Sequence, residues 1–305
     1  MKRNQFLLFA LLLLSLQSLG QVADSPFEVY VMNYRFGPKS LDYFKVNNIV
    51  VTNLFAENAI VEDGSENRVD EAKVRNTLQK LFHHADSDGR LVLDWEDKDI
   101  FKALRDYPVT DSRYKRAEAE WRKLIGIIRE MRPNVKIGIY GIPFNSWYET
   151  NIDKYNPPGK YDELLSLTDF LAPSLYLAFA DEEVGHARNL QYIRENMDVA
   201  LNYGKRLNKP VYPFFWHRIH DYNKKNGYEL MQIDVFAAYM KFISTYTYKG
   251  YKADGVYWWE ALSKKQNLSK ANGLGGWAKG LVTDYDSYDA LMVKYATAVV
   301  EELNE

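Results

Sequence analysis

Strand-like and helix-like segments alternate along nearly the whole chain, which predicts an α/β fold around a parallel sheet with right-handed crossovers. Two observations narrow this to a (β/α) TIM-like barrel, in which about seven strands can be counted. Polar and aromatic residues collect at the C-terminal ends of the predicted strands, where such barrels carry their active face. No Gly-rich phosphate loop follows the first strand, which counts against a doubly wound open sheet.

The elements follow in order. Residues 1–20 have the pattern of a secretory signal: Lys2 and Arg3, an apolar run over 6–16, then Ser18, Leu19 and Gly20 at a cleavage site. The run is too short for a good membrane span, and no Cys follows it, so a lipoprotein is excluded. The expected location is secreted or periplasmic, with residues 25–305 as one barrel domain. The predicted strands are 27–34, 49–55, 90–96, 135–143, 170–177, 210–217 and 253–260, rich in β-branched and aromatic residues. Pro210 and Pro213 make the sixth irregular. Helical spacing of Val74, Leu78, Leu81 and Phe82 predicts a helix over 69–84. Further helices are expected at 113–131, 161–167, 182–207, 229–248 and 285–303, with a short polar helix or loop at 40–45. The Asp86–Ser87–Asp88–Gly89 stretch lacks the distal Glu of a calcium loop and reads as a turn. The long segment 145–160, rich in Tyr, Asn and Pro, is a candidate functional loop.

Composition bounds the function. A net charge of −2 predicts no nucleic-acid or membrane affinity, and gives no support for a strongly anionic polymer as substrate. The absence of Cys removes disulfides, thiolate nucleophiles and Cys-based metal sites. With 23 Tyr, 15 Phe and 7 Trp, the chain has material both for an aromatic core and for a cleft that stacks on sugar rings.

The third strand ends in Leu93–Asp94–Trp95–Glu96–Asp97. Side chains alternate on a strand, so Asp94 and Glu96 share a face and Trp95 takes the other. Two carboxylates side by side raise one pKa, which suits a general acid near neutral pH. A polar strand end that caps the next helix is the plain alternative. With aromatics around it on a barrel face, the pair points to glycoside hydrolysis, by one of two routes. Glu96 is the acid in both. In one, Asp94 orients the substrate's own acetamido group as nucleophile; in the other, Glu260 attacks the anomeric carbon. Asn33, Tyr140, Tyr176, Trp216, His217, Trp259 and Glu260 fall at strand ends and are the candidate substrate contacts. His217, His220 and Asp221 have a zinc-like spacing, but the two His would face opposite ways on a strand and no third ligand is evident. His83 and His84 end a helix and suit its dipole or solvent. No Gly-x-Ser-x-Gly elbow supports a serine hydrolase.

These residues together resemble the hyaluronidase family of glycoside hydrolases, of which the chain is expected to be a distant, bacterial-type member. Val29–Tyr30–Val31–Met32–Asn33 is similar to that family's first strand, and Leu93–Asp94–Trp95–Glu96 to its Ile-Asp-Trp-Glu catalytic strand. Gly138–Ile139–Tyr140–Gly141–Ile142–Pro143 resembles its Gly-Phe-Tyr-x-x-Pro strand, and Ala172–Pro173–Ser174–Leu175–Tyr176 its Tyr-Pro-Ser-(Ile/Val)-Tyr segment. Lys209–Pro210–Val211–Tyr212–Pro213 and Gly255–Val256–Tyr257–Trp258–Trp259 resemble its last two strands. The match runs in order over residues 27–262. It implies a distorted barrel of about seven strands, Glu96 as proton donor, Asp94 as the residue that positions the acetamido group, Tyr176 in contact with that group and Trp259 on the cleft floor. Three departures stand out: there is no Cys, Phe144 and Asn145 replace the acidic residue after the fourth-strand Pro, and Trp216–His217–Arg218–Ile219 replaces a tyrosine, with Tyr222 as a stand-in.

The resulting expectation is a secreted hydrolase of an oligo- or polysaccharide containing N-acetylhexosamine, needing no metal or organic cofactor. A non-catalytic glycan-binding barrel is the rival. Nothing in the sequence specifies a partner protein or an oligomeric state.

Overall fold

The computed structural model describes residues 26–32, 36–64, 67–96, 99–149, 153–260 and 274–305. The expected signal segment and the candidate Asn33 lie outside the described residues. Seven parallel strands form a nearly closed (β/α) barrel: β1 (Glu28–Met32), β2 (Val50–Ala56), β3 (Gly89–Asp94), β4 (Val135–Tyr140), β5 (Phe170–Ala172), β6 (Phe214–Trp216) and β7 (Gly255–Trp259). Their order around the sheet is β5-β4-β3-β2-β1-β7-β6. The two ends meet through isolated parallel bridges, Leu171 with Val211 and Ser174 with Phe214. This seam is broken because Pro173, Pro210 and Pro213 carry no N–H to donate to a ladder. For the same reason β5 and β6 are three residues each, shorter than their sequence pattern suggests.

Alternation along the strands separates two apolar layers. Tyr30, Met32, Val92, Phe170, Ala172, Tyr212, Phe214 and Tyr257 point inward and fill the barrel. Their neighbours Val29, Val31, Leu91, Leu93, Ile137, Ile139, Leu171 and Val256 point outward to the helices. The lower end of the barrel holds Arg90, whose guanidinium lies over Tyr30 and Tyr212 and meets Glu28 at 3.3 Å. The barrel is therefore a filled core with one open end.

The outer helices are α1 (Pro38–Val46), α2 (Glu71–Leu81), α3 (Phe101–Asp106), α4 (Ser112–Met131), α5 (Asp162–Ser166), α6 (Asp181–Val184), α7 (His186–Leu207), α8 (Ile233–Thr245) and α9 (Tyr285–Asn304). Asp70 caps α2 by accepting Lys73 N–H at 3.0 Å, and Asp111 caps α4 by accepting Arg113 N–H at 2.8 Å. The helix expected over 182–207 is split at Gly185, whose φ of 86° only glycine adopts without cost. The one expected over 229–248 begins later and is followed by a hairpin pairing Thr247–Tyr248 with Tyr251–Lys252. No helix among the described residues is long and apolar enough to cross a membrane.

Candidate active site

A cleft of about 200 Å³ opens at the C-terminal end of the barrel. Asp94 is the last residue of β3 and Glu96 lies two residues on, so both reach into it. Trp95 between them is buried in the outer layer, its ring 5.4 Å from that of Trp121 on α4. That contact fixes the rotation of the strand end and hence the direction of both carboxylates.

Glu96 keeps access to solvent through the cleft mouth, while protein crowds its carboxyl on the other sides. This desolvation, reinforced by the negative charges of Asp94, Glu57 and Asp221, pushes its pKa up to about 8. Near pH 7 the group is largely protonated, the state a proton donor requires. Tyr140 and Tyr176 stand beside the pair with rings 6.0 Å apart, and the Tyr140 hydroxyl donates to Ser174 Oγ at 3.4 Å. Burial is the chief cause that raises both phenol pKa values, with the nearby carboxylates adding to it, so both remain neutral hydroxyls.

The remaining wall is aromatic. Trp216 packs against Tyr176 at 5.6 Å and Tyr228 at 5.8 Å, and Trp259 lies 6.4 Å from Phe214. Its indole Nε1 is buried with no hydrogen-bond partner among the described residues in the case of Trp216. His220 stacks on Tyr176 at 5.9 Å, and Trp147 from the long 145–160 segment meets the His220 ring at 4.8 Å and Tyr222 at 5.8 Å. Of the candidates named from sequence, Asp94, Glu96, Tyr140, Tyr176, Trp216 and Trp259 thus line one cleft.

His217 and Glu260 do not, and this corrects the expectation for both. Each follows an inward-facing tryptophan and so points outward, into a fully buried cluster under α9. Glu260 Oε2 lies 3.1 Å from His217 Nε2 and accepts from the Tyr288 hydroxyl, while its Oε1 lies 3.4 Å from Arg218 Nε. Held there, Glu260 has no path to a substrate in the cleft, which removes it as a covalent nucleophile. The zinc-like spacing also dissolves, since His217 is in this cluster and His220 is in the cleft wall. Among the described residues no group of three or more His, Asp or Glu is placed to hold a metal ion.

His220, Asp221 and Tyr228 are cleft residues that strand-end reasoning did not select as substrate contacts. They arrive on the loop after β6, and a loop has no side-chain period from which to read a direction.

No family model matches the chain, and no curated protein matches it in sequence. Solved structures of bee venom hyaluronidase are similar to it in fold. One, in complex with a hyaluronic acid tetramer, has 17% identity and a TM-score of 0.53, covering 76% of this chain and 90% of that one. A second, in a monoclinic crystal form, has 12% identity and a TM-score of 0.57, covering 92% of this chain and all of the other. At such identities the shared feature is the fold: a distant, hyaluronidase-like barrel. A bacterial source is not part of that likeness.

Proposed function

We propose that this chain is a glycoside hydrolase that cleaves an N-acetylhexosamine-containing glycan by a substrate-assisted, retaining mechanism. The observation that carries the reading is the placement of Glu96 beside Asp94 in an aromatic cleft, where burial and the neighbouring carboxylates push the Glu96 pKa up to about 8. The likeness in fold to a hyaluronidase supports it.

In this mechanism protonated Glu96 gives its proton to the glycosidic oxygen as the C–O bond breaks. The carbonyl oxygen of the substrate's 2-acetamido group attacks the anomeric carbon, forming an oxazolinium ring, and Asp94 stabilises the positive charge that develops at the amide N–H. Glu96, now a carboxylate, takes a proton from water as that water opens the ring with net retention. The hydroxyls of Tyr140 and Tyr176 orient the acetamido group, and Trp216 and Trp259 bear on the sugar faces. His217 and Glu260 have no role in this scheme. The charged, apolar and small-residue pattern of residues 1–20 supports export, and residues 25–305 form one catalytic domain.

The test is hydrolysis of a panel of N-acetylated oligosaccharides by the wild type and by Glu96→Gln. The reading predicts cleavage by the wild type and a loss of about 10²–10⁴-fold in the variant. Wild-type activity in Glu96→Gln would sink the mechanism. Glycan binding with no cleavage by the wild type would identify a binding barrel instead.

A further inference from the structure

We propose, resting on the glycosidase reading, that Trp147 and Tyr222 form a further sugar-binding subsite at the cleft rim, which takes a pyranose ring of the substrate chain beyond those held at Glu96. Tyr222 is 65% exposed and Trp147 is half-buried. Their rings stack at 5.8 Å with an interplanar angle of 26°. Neither is among the described members of the two apolar clusters of the fold.

The pair is continuous instead with the cleft. Tyr140 and Tyr176 line it together with Asp94 and Glu96, their rings 6.0 Å apart. His220 stacks on Tyr176 at 5.9 Å and 29°, Trp147 meets His220 at 4.8 Å, and Tyr222 lies against Trp147. This line of rings leads from the two carboxylates out to solvent. Aromatic rings bind the apolar faces of pyranoses, and a tyrosine hydroxyl reaches the hydroxyls of the sugar.

Both halves of the pair are held in place. Trp147 and Tyr148 have φ of 48° and 67°, left-handed backbone that is strained in a non-glycine residue and persists only where neighbours enforce it. Residues of α7 enforce it. Ser146 N–H donates to Asn196 Oδ1 at 2.8 Å, the Tyr148 ring stacks on Tyr192 at 4.2 Å, and Arg188 donates to the Tyr148 carbonyl at 3.1 Å. On the loop after β6, Tyr222 N–H donates to His220 Nδ1 at 3.1 Å. Asn223 next to it donates to Glu183 at 2.7 Å and accepts from Lys225 and Asn226 N–H at 2.9 and 3.0 Å. A surface fixed before the ligand arrives loses little conformational freedom on binding, which is what a subsite needs.

The test reads binding as a function of chain length. Glu96→Gln protein, which on the glycosidase reading binds without cleaving, is titrated by calorimetry with the disaccharides and hexasaccharides of N-acetylglucosamine and of hyaluronan. The titrations are repeated with Tyr222→Ala, Tyr222→Phe and Trp147→Ala in the same background. In the series that binds, the hexasaccharide should bind about tenfold or more tightly than the disaccharide. Tyr222→Ala should remove most of that advantage with little change for the disaccharide, and Tyr222→Phe should keep it. Trp147→Ala, which takes away the ring behind Tyr222, should act in the same direction as Tyr222→Ala. Equal losses at both lengths, or no loss at either, overturn the subsite and leave the glycosidase reading standing. If no glycan of either series binds, both readings fall.

Discussion

The indole N–H of Trp258 donates to Nδ1 of His217 at 2.8 Å, in a region where both side chains are fully buried. With Nδ1 an acceptor, the imidazole proton sits on Nε2, facing Glu260 Oε2 at 3.1 Å. Burial lowers the His217 pKa, so the ring is a neutral donor and Arg218 supplies the positive charge opposite Glu260. The cluster joins the loop after β6 and the end of β7 to α9 through Tyr288, whose hydroxyl also accepts from Arg218 Nη2 at 2.9 Å.

Glu260 is therefore a structural residue. Truncation to Ala leaves Arg218 buried without its carboxylate, a loss of about 3–5 kcal/mol on the usual scale for breaking a buried pair. Urea unfolding of Glu260→Ala and Tyr288→Phe should show reduced stability, larger for the first. Turnover per folded molecule should stay at the wild-type level. A Glu260→Gln protein that keeps its melting temperature but loses catalysis would contradict this assignment.

The raised pKa of Glu96 sets both activity and stability against pH. Donation requires the protonated form, so kcat/KM should fall as pH rises through about 8. Glu57→Gln removes one of the negative charges behind the shift, so the alkaline limb should move to lower pH. For stability, the folded state holds this proton more tightly than the unfolded state does. Stability tied to Glu96 is then intact below the ordinary carboxyl range and is lost as pH rises through about 8. Glu96→Gln should melt at the wild-type temperature near pH 4 and above it at pH 8. A melting difference independent of pH, or an alkaline limb unmoved by Glu57→Gln, would count against the shift.

A second long-range tie anchors α1. Asp289 on α9 is buried and accepts the backbone N–H groups of Gly37, Lys39 and Ser40 at 3.1, 2.8 and 3.2 Å. These are the free donors at the start of α1, whose positive dipole end also favours the charge. Gly37 is needed for the approach, since a Cβ there would stand 2.4 Å from the Asp289 carboxyl. Asp289→Ala strands those donors and should cost about 3 kcal/mol in equilibrium unfolding. Gly37→Ala should destabilise by displacing the same carboxylate.

Much of the cleft was legible because strand alternation is a strict rule. It placed Asp94 and Glu96 on one face and Trp95 on the other, and the barrel keeps that arrangement. The same rule separates Trp216 from His217 and Trp259 from Glu260. Grouping each pair by closeness in sequence hid this, and sent two outward-facing residues to the site. Asp221 and Tyr228 were harder to see: they enter the cleft from a loop whose path is set by backbone bonds such as His220 N–H to the Leu177 carbonyl at 2.8 Å. The breaks at β5 and β6 were signalled by Pro210 and Pro213, whereas the stop at Gly185 depends on a φ that the letter G permits but does not demand.

Trp216 gives a test of how the cleft holds a ligand. Its Nε1–H is buried beside the cleft with no acceptor among the described residues, so it is available to an oxygen of a ligand bound there. Such a group costs about 1–3 kcal/mol when left unmet, and regains it when a ligand oxygen arrives. Trp216→Phe keeps an aromatic face and deletes the donor. The free variant should be at least as stable as wild type in urea unfolding, because no described residue loses a hydrogen bond. Its KM should rise by about tenfold with kcat little changed, as for a contact made equally in the ground and transition states. A fall in kcat at constant KM would instead assign the donor to the transition state, and a loss of stability would show that the indole is held by the fold alone.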